Sequence, residues 1–205
     1  RERYARARAL APKARWLRTI EARAGLLDVL GSLRAGDRDA AVRAFASLVR
    51  VEPPRIDLGF TPLDAEVPWL LPVAEASEAS SGAEAAVAAH VLEGAALLVG
   101  GDEDGANRAL TAALSSVGAS PAPGSRIEKV VDAALLLRSI VRSRRADVTG
   151  ARADIAPILA RRPREILVAH HLLELDRIEA VARRRIAEGV GDAAGLEAAR
   201  AALRE

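Results

Sequence analysis

Three histidines are the first candidates for chemistry in this 205-residue chain, because imidazole is the side chain that ordinarily titrates near neutral pH. His170 and Glu174 are four residues apart, so a helix would place both on one face. A zinc site needs three or four ligands, and apart from the adjacent His171 no further histidine is near that pair. His171 falls close to an apolar stripe, and we expect it to be a satisfied core or interface histidine. We expect the same packing role for His90.

The acidic segment at residues 100–105 has the composition of a calcium loop without its ligand pattern. Counted from Asp102, the fifth position carries no ligand and the twelfth is Ala113 instead of a bidentate glutamate. We interpret the segment as helix caps. The chain has no cysteine and no phosphate-binding loop, dinucleotide fingerprint or nucleophile elbow. We therefore expect no metal, no cofactor and no enzymatic activity.

The basic residues are almost all arginine, but they are nearly balanced, with 30 Lys and Arg against 28 Asp and Glu. Binding nucleic acid through phosphates requires a contiguous positive stripe, together with stacking aromatics or a helix-turn-helix, and neither accompaniment is visible. We expect the arginine clusters to lie on solvated helix faces. Nucleic-acid binding through these clusters is a less favoured alternative. The clusters lie at residues 1–8, 142–145, 161–164 and 183–185.

The composition favours an all-α fold. Half of the residues are apolar, many of them alanine, and no segment alternates apolar and polar residues as a strand would. No apolar run approaches the roughly 20 residues that span a bilayer, and no secretory leader is visible, so we expect a cytoplasmic protein without a membrane segment. Because the chain starts at Arg1 and contains no methionine, we expect a piece of a longer polypeptide.

The strongest pattern is a repeat that begins at an aspartate. Asp37, Asp102, Asp147 and Asp192 are separated by 65, 45 and 45 residues. Each is placed to cap a helix, because its carboxylate can accept from an unpaired backbone N–H in the first turn. A glycine precedes three of them and can end the preceding helix. Repeats of this kind are typical of stacked helical units that bury their apolar faces against their neighbours.

Within each repeat a small and a large apolar residue follow the aspartate on one helix face. The pairs are Ala41 with Phe45, Ala106 with Leu110, and Ala151 with Ile155. Prolines at 53, 121 and 163 then mark the end of the short helix. The residues that define the repeat are thus Asp37, Phe45, Asp102, Leu110, Asp147 and Ile155.

Longer periodic stretches lie between the short helices and predict helices over 12–33, 83–99, 126–144 and 164–188. Ser81 with Glu84, and Ser125 with Glu128, match the capping box at two of the starts. We predict a single domain over 1–205. Its hairpins would cover about 13–50, 83–117, 126–161 and 164–204.

An irregular insertion over 51–80 separates the first two hairpins. Its five prolines exclude one continuous helix and predict two short or kinked ones. Phe60 and Trp69 fall in this insertion. We expect them to plug the segment onto the adjacent hairpins, and Trp69 is also a candidate anchor for a partner.

The segment that runs from Gly36 and Asp37 through Ala40, Ala44 and Phe45 to residues 51–53 resembles the second helix of a tetratricopeptide unit. The 45-residue spacing departs from that family's 34. Longer repeats rich in alanine and arginine are similar to the sensor region of the large LuxR-type, maltose-activator-like regulators. The resemblance implies a right-handed stack of antiparallel helix hairpins that binds an inducer or a regulatory protein. On this resemblance the chain would be the sensor or scaffold portion alone, because the family's nucleotide-binding loop and DNA-binding helices have no counterpart in the sequence.

These observations predict a scaffold for protein interaction or signal sensing in a bacterial regulatory protein. The partner would be a protein, a peptide or a neighbouring domain of the same polypeptide, held on the surface of the long helices. Exposed arginines on those helices and the insertion tryptophan are the candidate contacts: Arg138, Arg142, Arg177, Arg184 and Trp69. The alternative is a small-molecule effector domain of a transcriptional regulator, with a pocket near His90 or His171 and the insertion.

Overall fold

The computed structural model describes residues 9, 15–50, 66–78, 82–118, 120–192 and 194. These residues form an all-helical fold, as predicted, and no strand occurs among them. The eight helices are α1 (Arg15–Arg34), α2 (Arg38–Arg50), α3 (Glu66–Ser77), α4 (Ala83–Val99), α5 (Glu103–Ser115), α6 (Arg126–Arg144), α7 (Val148–Arg161) and α8 (Ile166–Val190).

The two capping boxes have different outcomes. Ser125 Oγ accepts from the backbone N–H of Glu128 at 3.2 Å, as the box requires. The Glu128 carboxylate reaches one residue further back than predicted and accepts from the Gly124 N–H at 2.7 Å. Ser81 lies outside the described residues, so its predicted role as a cap stays a prediction. Gly82 is the N-cap and provides no side-chain hydrogen bond.

The contacts divide the chain into two compact units, Arg1–Leu137 and Arg138–Glu205. In the first unit α1 packs on α2 and α4 packs on α5, while α3 contacts both α2 and α4. Among the described residues the core of this unit is aliphatic apart from the ring of Phe45. Its largest fully buried side chains there are Phe45, Leu92, Leu110, Val29, Val73, Val87 and Val91.

The second unit contains the last turns of α6, together with α7 and α8, which pack on each other. Its core is formed by one side of each helix, with Ile140, Val141, Ala151, Ile155, Ile158, Leu167, Val168 and Leu175 buried. The small and large residues predicted to share a helix face are buried in all three repeats, which confirms that part of the pattern.

Proline interrupts the helices less than we expected. The insertion contributes α3, and this helix continues through Pro72 although proline has no N–H to donate. Pro157 likewise lies inside α7. Residues 51–65, which include Phe60, lie outside the described residues, so the second predicted helix of the insertion stays a prediction.

One turn recurs between consecutive helices and explains the repeated aspartate. The residue before each aspartate has a positive φ, namely 74° at Gly36, 81° at Gly101 and 60° at Ala146. The aspartate N–H then donates to the carbonyl five residues earlier, which closes the preceding helix. The donor and acceptor pairs are Asp37 to Ser32, Asp102 to Leu97 and Asp147 to Arg142, at 3.0, 2.9 and 2.9 Å.

The same aspartate also starts the next helix. Its Oδ1 accepts from the N–H three residues later, which confirms the predicted N-caps. The distances are 2.9 Å from Ala40 to Asp37, 2.8 Å from Gly105 to Asp102 and 2.9 Å from Gly150 to Asp147. At the fourth copy, Asp192 donates to Ala187 at 2.9 Å after Gly191, whose φ is 69°. The helix predicted after it lies outside the described residues.

Ala146 is the non-glycine residue with positive φ in the described part of the chain. We therefore expect its replacement by glycine to be stabilising. The left-handed conformation costs an L-residue about 1–2 kcal/mol, which glycine avoids at the expense of some unfolded-state entropy. We expect Ala146→Gly to raise the free energy of unfolding by about 1 kcal/mol in urea denaturation. As a control, Ala35→Gly changes the residue before Gly36 and should give no gain. A neutral or destabilising Ala146→Gly would contradict this explanation of the turn.

Candidate functional site

A buried ion cluster in the second unit is centred on Asp154, whose side chain is 4% exposed. Arg138 binds it with two parallel hydrogen bonds, from Nε to Oδ2 at 2.9 Å and from Nη2 to Oδ1 at 2.5 Å. Nη1 of Arg142 lies 3.0 Å from Asp154 Oδ2. A bidentate guanidinium pair with a further donor is among the strongest arrangements for a carboxylate in a protein interior.

The helix periodicity brings this cluster together. Arg138 and Arg142 are four residues apart and share one face of α6, while Asp154 lies on the buried face of α7 between Ala151 and Ile155. Arg142 Nη1 also donates to the carbonyl of Gly150 at 3.0 Å. The two arginines therefore tie the end of α6 to the first turns of α7.

Ser139 provides a second buried polar link, beside the ion cluster. Its Oγ is 2.9 Å from the carbonyl of Ala151 on α7 and 2.8 Å from Nε2 of His171 on α8. The hydroxyl has one proton, and a carbonyl can only accept. Both contacts are hydrogen bonds when Ser139 donates to Ala151 and accepts from a protonated Nε2. This hydroxyl thus connects all three helices of the unit.

Burial keeps the His171 ring neutral. Desolvation is the main cause that lowers its pKa from 6.5 to about 4, and the charge of His170 acts in the same direction. Hydrogen bonding at Ser139 and the charge of Glu174 oppose the shift. The predicted role of His171 as a satisfied core histidine is confirmed. His90 is less buried than we expected, and its Nδ1 lies 3.6 Å from Glu93 Oε2.

A surface ion network joins α7 to α8. Arg152 is hydrogen-bonded to Asp176, and its Nη2 lies 3.0 Å from Glu179 Oε2. Glu179 also accepts from Arg183 one turn further along α8. The hydrogen bonds from Arg183 and Arg152 lower the pKa of Glu179, and the bond to Asp176 raises the pKa of Arg152. These groups are partly exposed, so the network contributes more to the orientation of α7 against α8 than to the free energy of unfolding.

The structure separates the residues predicted to contact a partner. The predicted exposure of Arg138 and Arg142 is wrong, because their side chains are only 15% and 28% exposed and bind Asp154. Arg177 is exposed on α8. Arg184 is partly exposed, and its Nε lies 3.6 Å from Glu188 Oε1. Trp69 is partly buried on α3, in the first unit.

Sequence reasoning missed Asp154 and Ser139. A signal for Asp154 was present, because a charged residue interrupts the buried stripe of α7 between Ala151 and Ile158. Such a residue is expected to have a cationic partner on the facing helix. The i, i+4 arginines at 138 and 142 offered that partner. Ser139 gave no comparable signal, because serine is common on helix surfaces as well as in buried positions.

No group of three His, Cys, Asp or Glu side chains in the described part of the chain could hold a metal ion. None of the described helices combines the length and the apolar character required to cross a membrane. Among known proteins, no family model matches the chain, and neither a curated protein nor a solved structure matches it significantly. The tetratricopeptide resemblance thus depends on the repeat residues themselves.

Proposed function

We propose that this chain is a protein-binding scaffold of a cytoplasmic bacterial regulatory protein. In this proposal the helix pairs stack as a right-handed, tetratricopeptide-like array, and the partner binds on the surface of the long helices. No catalytic role and no cofactor are assigned. The observation that carries the proposal is the identical turn at Asp37, Asp102 and Asp147, which closes one helix and starts the next with the same hydrogen bonds.

An identical turn supports a repeated unit because it sets the same geometry between the two helices of each pair. Units that leave one helix and enter the next in the same way can repeat along the chain, and each unit extends the surface of its predecessor. Extended surfaces of this kind bind peptides and helices through many modest contacts. The start of the same turn at Gly191 and Asp192 is consistent with a further unit.

The long helix α8 is the best candidate for the contact surface. Its 25 residues exceed the 14 of α7, and its exposed positions include Arg177 and Leu173. Arg138 and Arg142 are no longer candidate contact residues, because both bind Asp154. His171 does not support the small-molecule alternative, because its ring is buried and hydrogen-bonded to Ser139.

Charge reversal on the long helix tests the proposal. We expect Arg177→Glu combined with Arg184→Glu to lower capture of a partner from a bacterial lysate at least about tenfold, because buried interfacial charges are costly to mismatch. The readout is quantitative mass spectrometry of proteins retained by the full chain. The matched control is Arg108→Glu, an exposed arginine on the short helix α5, which should capture as the unsubstituted chain does. Equal capture by all three chains, or loss with Arg108→Glu alone, would count against the proposal.

A further inference from the structure

The end of α8 is buried on a side that α7 does not reach. Ala180 and Ala187, seven residues apart on one side of α8, are each 5% exposed. Arg152 binds α8 as far as Glu179, and α7 begins only one turn before Arg152. Ala187 lies about 12 Å past Glu179 along the helix, whereas the first turn of α7 adds only about 6 Å. The burial of Ala187 thus indicates a further segment beside α8.

The chain after α8 can supply that segment. It reverses at Gly191 and Asp192 through the turn that also precedes α5 and α7. Residues 195–205, which we name the 195–205 segment, lie outside the described residues. Their sequence has two large apolar side chains, Leu196 and Leu203. These leucines are seven residues apart, as the two buried alanines of α8 are, so a helix after the turn would direct both leucines to one side.

The repeat indicates which residues of the two stretches would meet. In the first copy a Cβ on Gly25 would lie 3.7 Å from the Cβ of Leu48. These residues come twelve before and eleven after the capping aspartate, Asp37. The same positions around the fourth aspartate are Ala180 and Leu203. The contact in the first copy therefore predicts that Leu203 packs on Ala180.

Arg184 occupies a core position of the repeat. The residue eight before the aspartate is buried in the other three copies, where it is Val29, Gly94 or Ser139. This residue packs on the one four after the aspartate, as when Ser139 donates to the carbonyl of Ala151 at 2.9 Å. The fourth copy has Arg184 and Leu196 at these two positions. We therefore expect Leu196 to lie against Arg184.

An arginine at this position weakens the fourth helix pair. At Gly94 there is no room even for a Cβ, which would lie 2.6 Å from Cγ of Leu110. Arg184 is far larger and charged, and its Nε is buried 3.6 Å from Glu188 Oε1, without a hydrogen bond to a described residue. Burying a charged group that lacks hydrogen bonds costs free energy. A segment packed on Arg184 is thus held less firmly than α5 is on α4.

We propose that the 195–205 segment docks on α8 over Ala180 and Ala187 and competes with the partner for Arg184. When docked, it covers the Arg184 end of the contact surface and leaves Leu173 and Arg177 exposed. When released, it uncovers the whole surface. A segment docked in about nine molecules of ten lowers the apparent affinity for the partner about tenfold. This inference rests on the proposed scaffold function and adds its regulation.

Engineered disulfides test the docking, because the chain has no cysteine of its own. Ala180→Cys with Leu203→Cys should form an intramolecular disulfide under mild oxidation, since the equivalent Cβ atoms of the first copy are 3.7 Å apart. Gly25→Cys with Leu48→Cys is the positive control. Ala182→Cys with Leu203→Cys is the matched negative control, because Ala182 lies on the opposite side of α8. Mass spectrometry of the full chain measures the bridged fraction.

Two results would overturn the docking. One is a bridge in the positive control without a bridge between positions 180 and 203. The other is a bridge at these positions that links two molecules, which would make a second copy the occupant. Neither result depends on a partner, so the docking is tested separately from the scaffold function.

Shielding of Arg184 is tested with phenylglyoxal, which modifies accessible arginines. In the Ala180→Cys, Leu203→Cys chain, oxidation should slow modification of Arg184 at least about tenfold relative to the reduced form, because the bridge prevents release. Arg177 should react equally in both forms. Equal reactivity of Arg184 in the bridged and reduced chains would show that the segment does not cover it.

The competition is tested by capture with the same variants. The bridged Ala180→Cys, Leu203→Cys chain should capture at least about tenfold less partner than its reduced form, and Leu196→Ser with Leu203→Ser should raise capture about tenfold. The bridge in the first copy should leave capture unchanged. Equal capture by the bridged and reduced chains would overturn the competition. If Arg177→Glu with Arg184→Glu still lowers capture in that case, the scaffold function stands and only its regulation is wrong.

Discussion

Replacement of Asp154 by alanine is expected to lower the free energy of unfolding by about 3–5 kcal/mol, the largest loss that we expect from a single substitution in the second unit. The substitution leaves the guanidinium of Arg138, which is 15% exposed, without its carboxylate, and Arg142 loses the same acceptor. A buried charge without its counter-ion must remain desolvated or pull its helix apart. Urea denaturation followed by circular dichroism measures the loss.

Two comparisons distinguish the buried cluster from an ordinary ion pair. Asp176→Ala removes a more exposed carboxylate from Arg152 on the surface of the same unit and should cost less than about 1 kcal/mol. Asp154→Leu combined with Arg138→Met and Arg142→Met replaces the cluster with apolar side chains and should recover most of the loss. Equal effects of Asp154→Ala and Asp176→Ala would contradict the assignment of Asp154 as a buried structural anion.

Acidification is expected to destabilise the second unit through His171, by about 3 kcal/mol between pH 6.5 and pH 4. The folded pKa is about 4 and the ordinary value is 6.5, so in this interval the unfolded chain binds a proton that the folded chain does not. The contribution of His171 is therefore complete above pH 6.5 and is lost as the pH falls. The slope is about 1.4 kcal/mol per pH unit.

The carboxylates of the chain also respond to acid, so the measurement is a difference between variants. His171→Gln keeps an N–H donor near Ser139 but cannot titrate, and its unfolding free energy should fall less steeply below pH 6.5. His90→Gln makes the same substitution at a half-exposed histidine in the first unit and serves as the matched control. Identical slopes for His171→Gln and the unsubstituted chain would show that His171 is not held neutral by burial.

The parts of the fold that could be predicted from the sequence are those controlled by local chemistry. Asp102 and Asp147 are recognisable as caps because an N-cap depends on residues within one turn, and the helix pairs follow from the spacing of these caps. Ala146 shows the limit of this reasoning. It takes the left-handed position that glycine occupies in the other turns, because the aspartate after it and the carbonyl of Arg142 still impose the same geometry.

The ion cluster could not be predicted as a site because it depends on which face of α6 meets α7. On the sequence alone Arg138 and Arg142 have the spacing of exposed helix residues, and only packing shows that they reach Asp154. Pro72 fails as a helix breaker for a related reason, since packing can outweigh the loss of one backbone hydrogen bond. Tertiary contacts override local preference at each of these positions.

The most direct test of the scaffold function is amide hydrogen exchange of the full chain with and without its captured partner. We predict slower exchange along the long helices on binding, with the strongest protection in α8 between residues 173 and 190. Exchange in the short helix α5 should stay unchanged. Protection confined to the short helices, with exchange in α8 unaffected by the partner, would contradict the claim that the long helices form the binding surface.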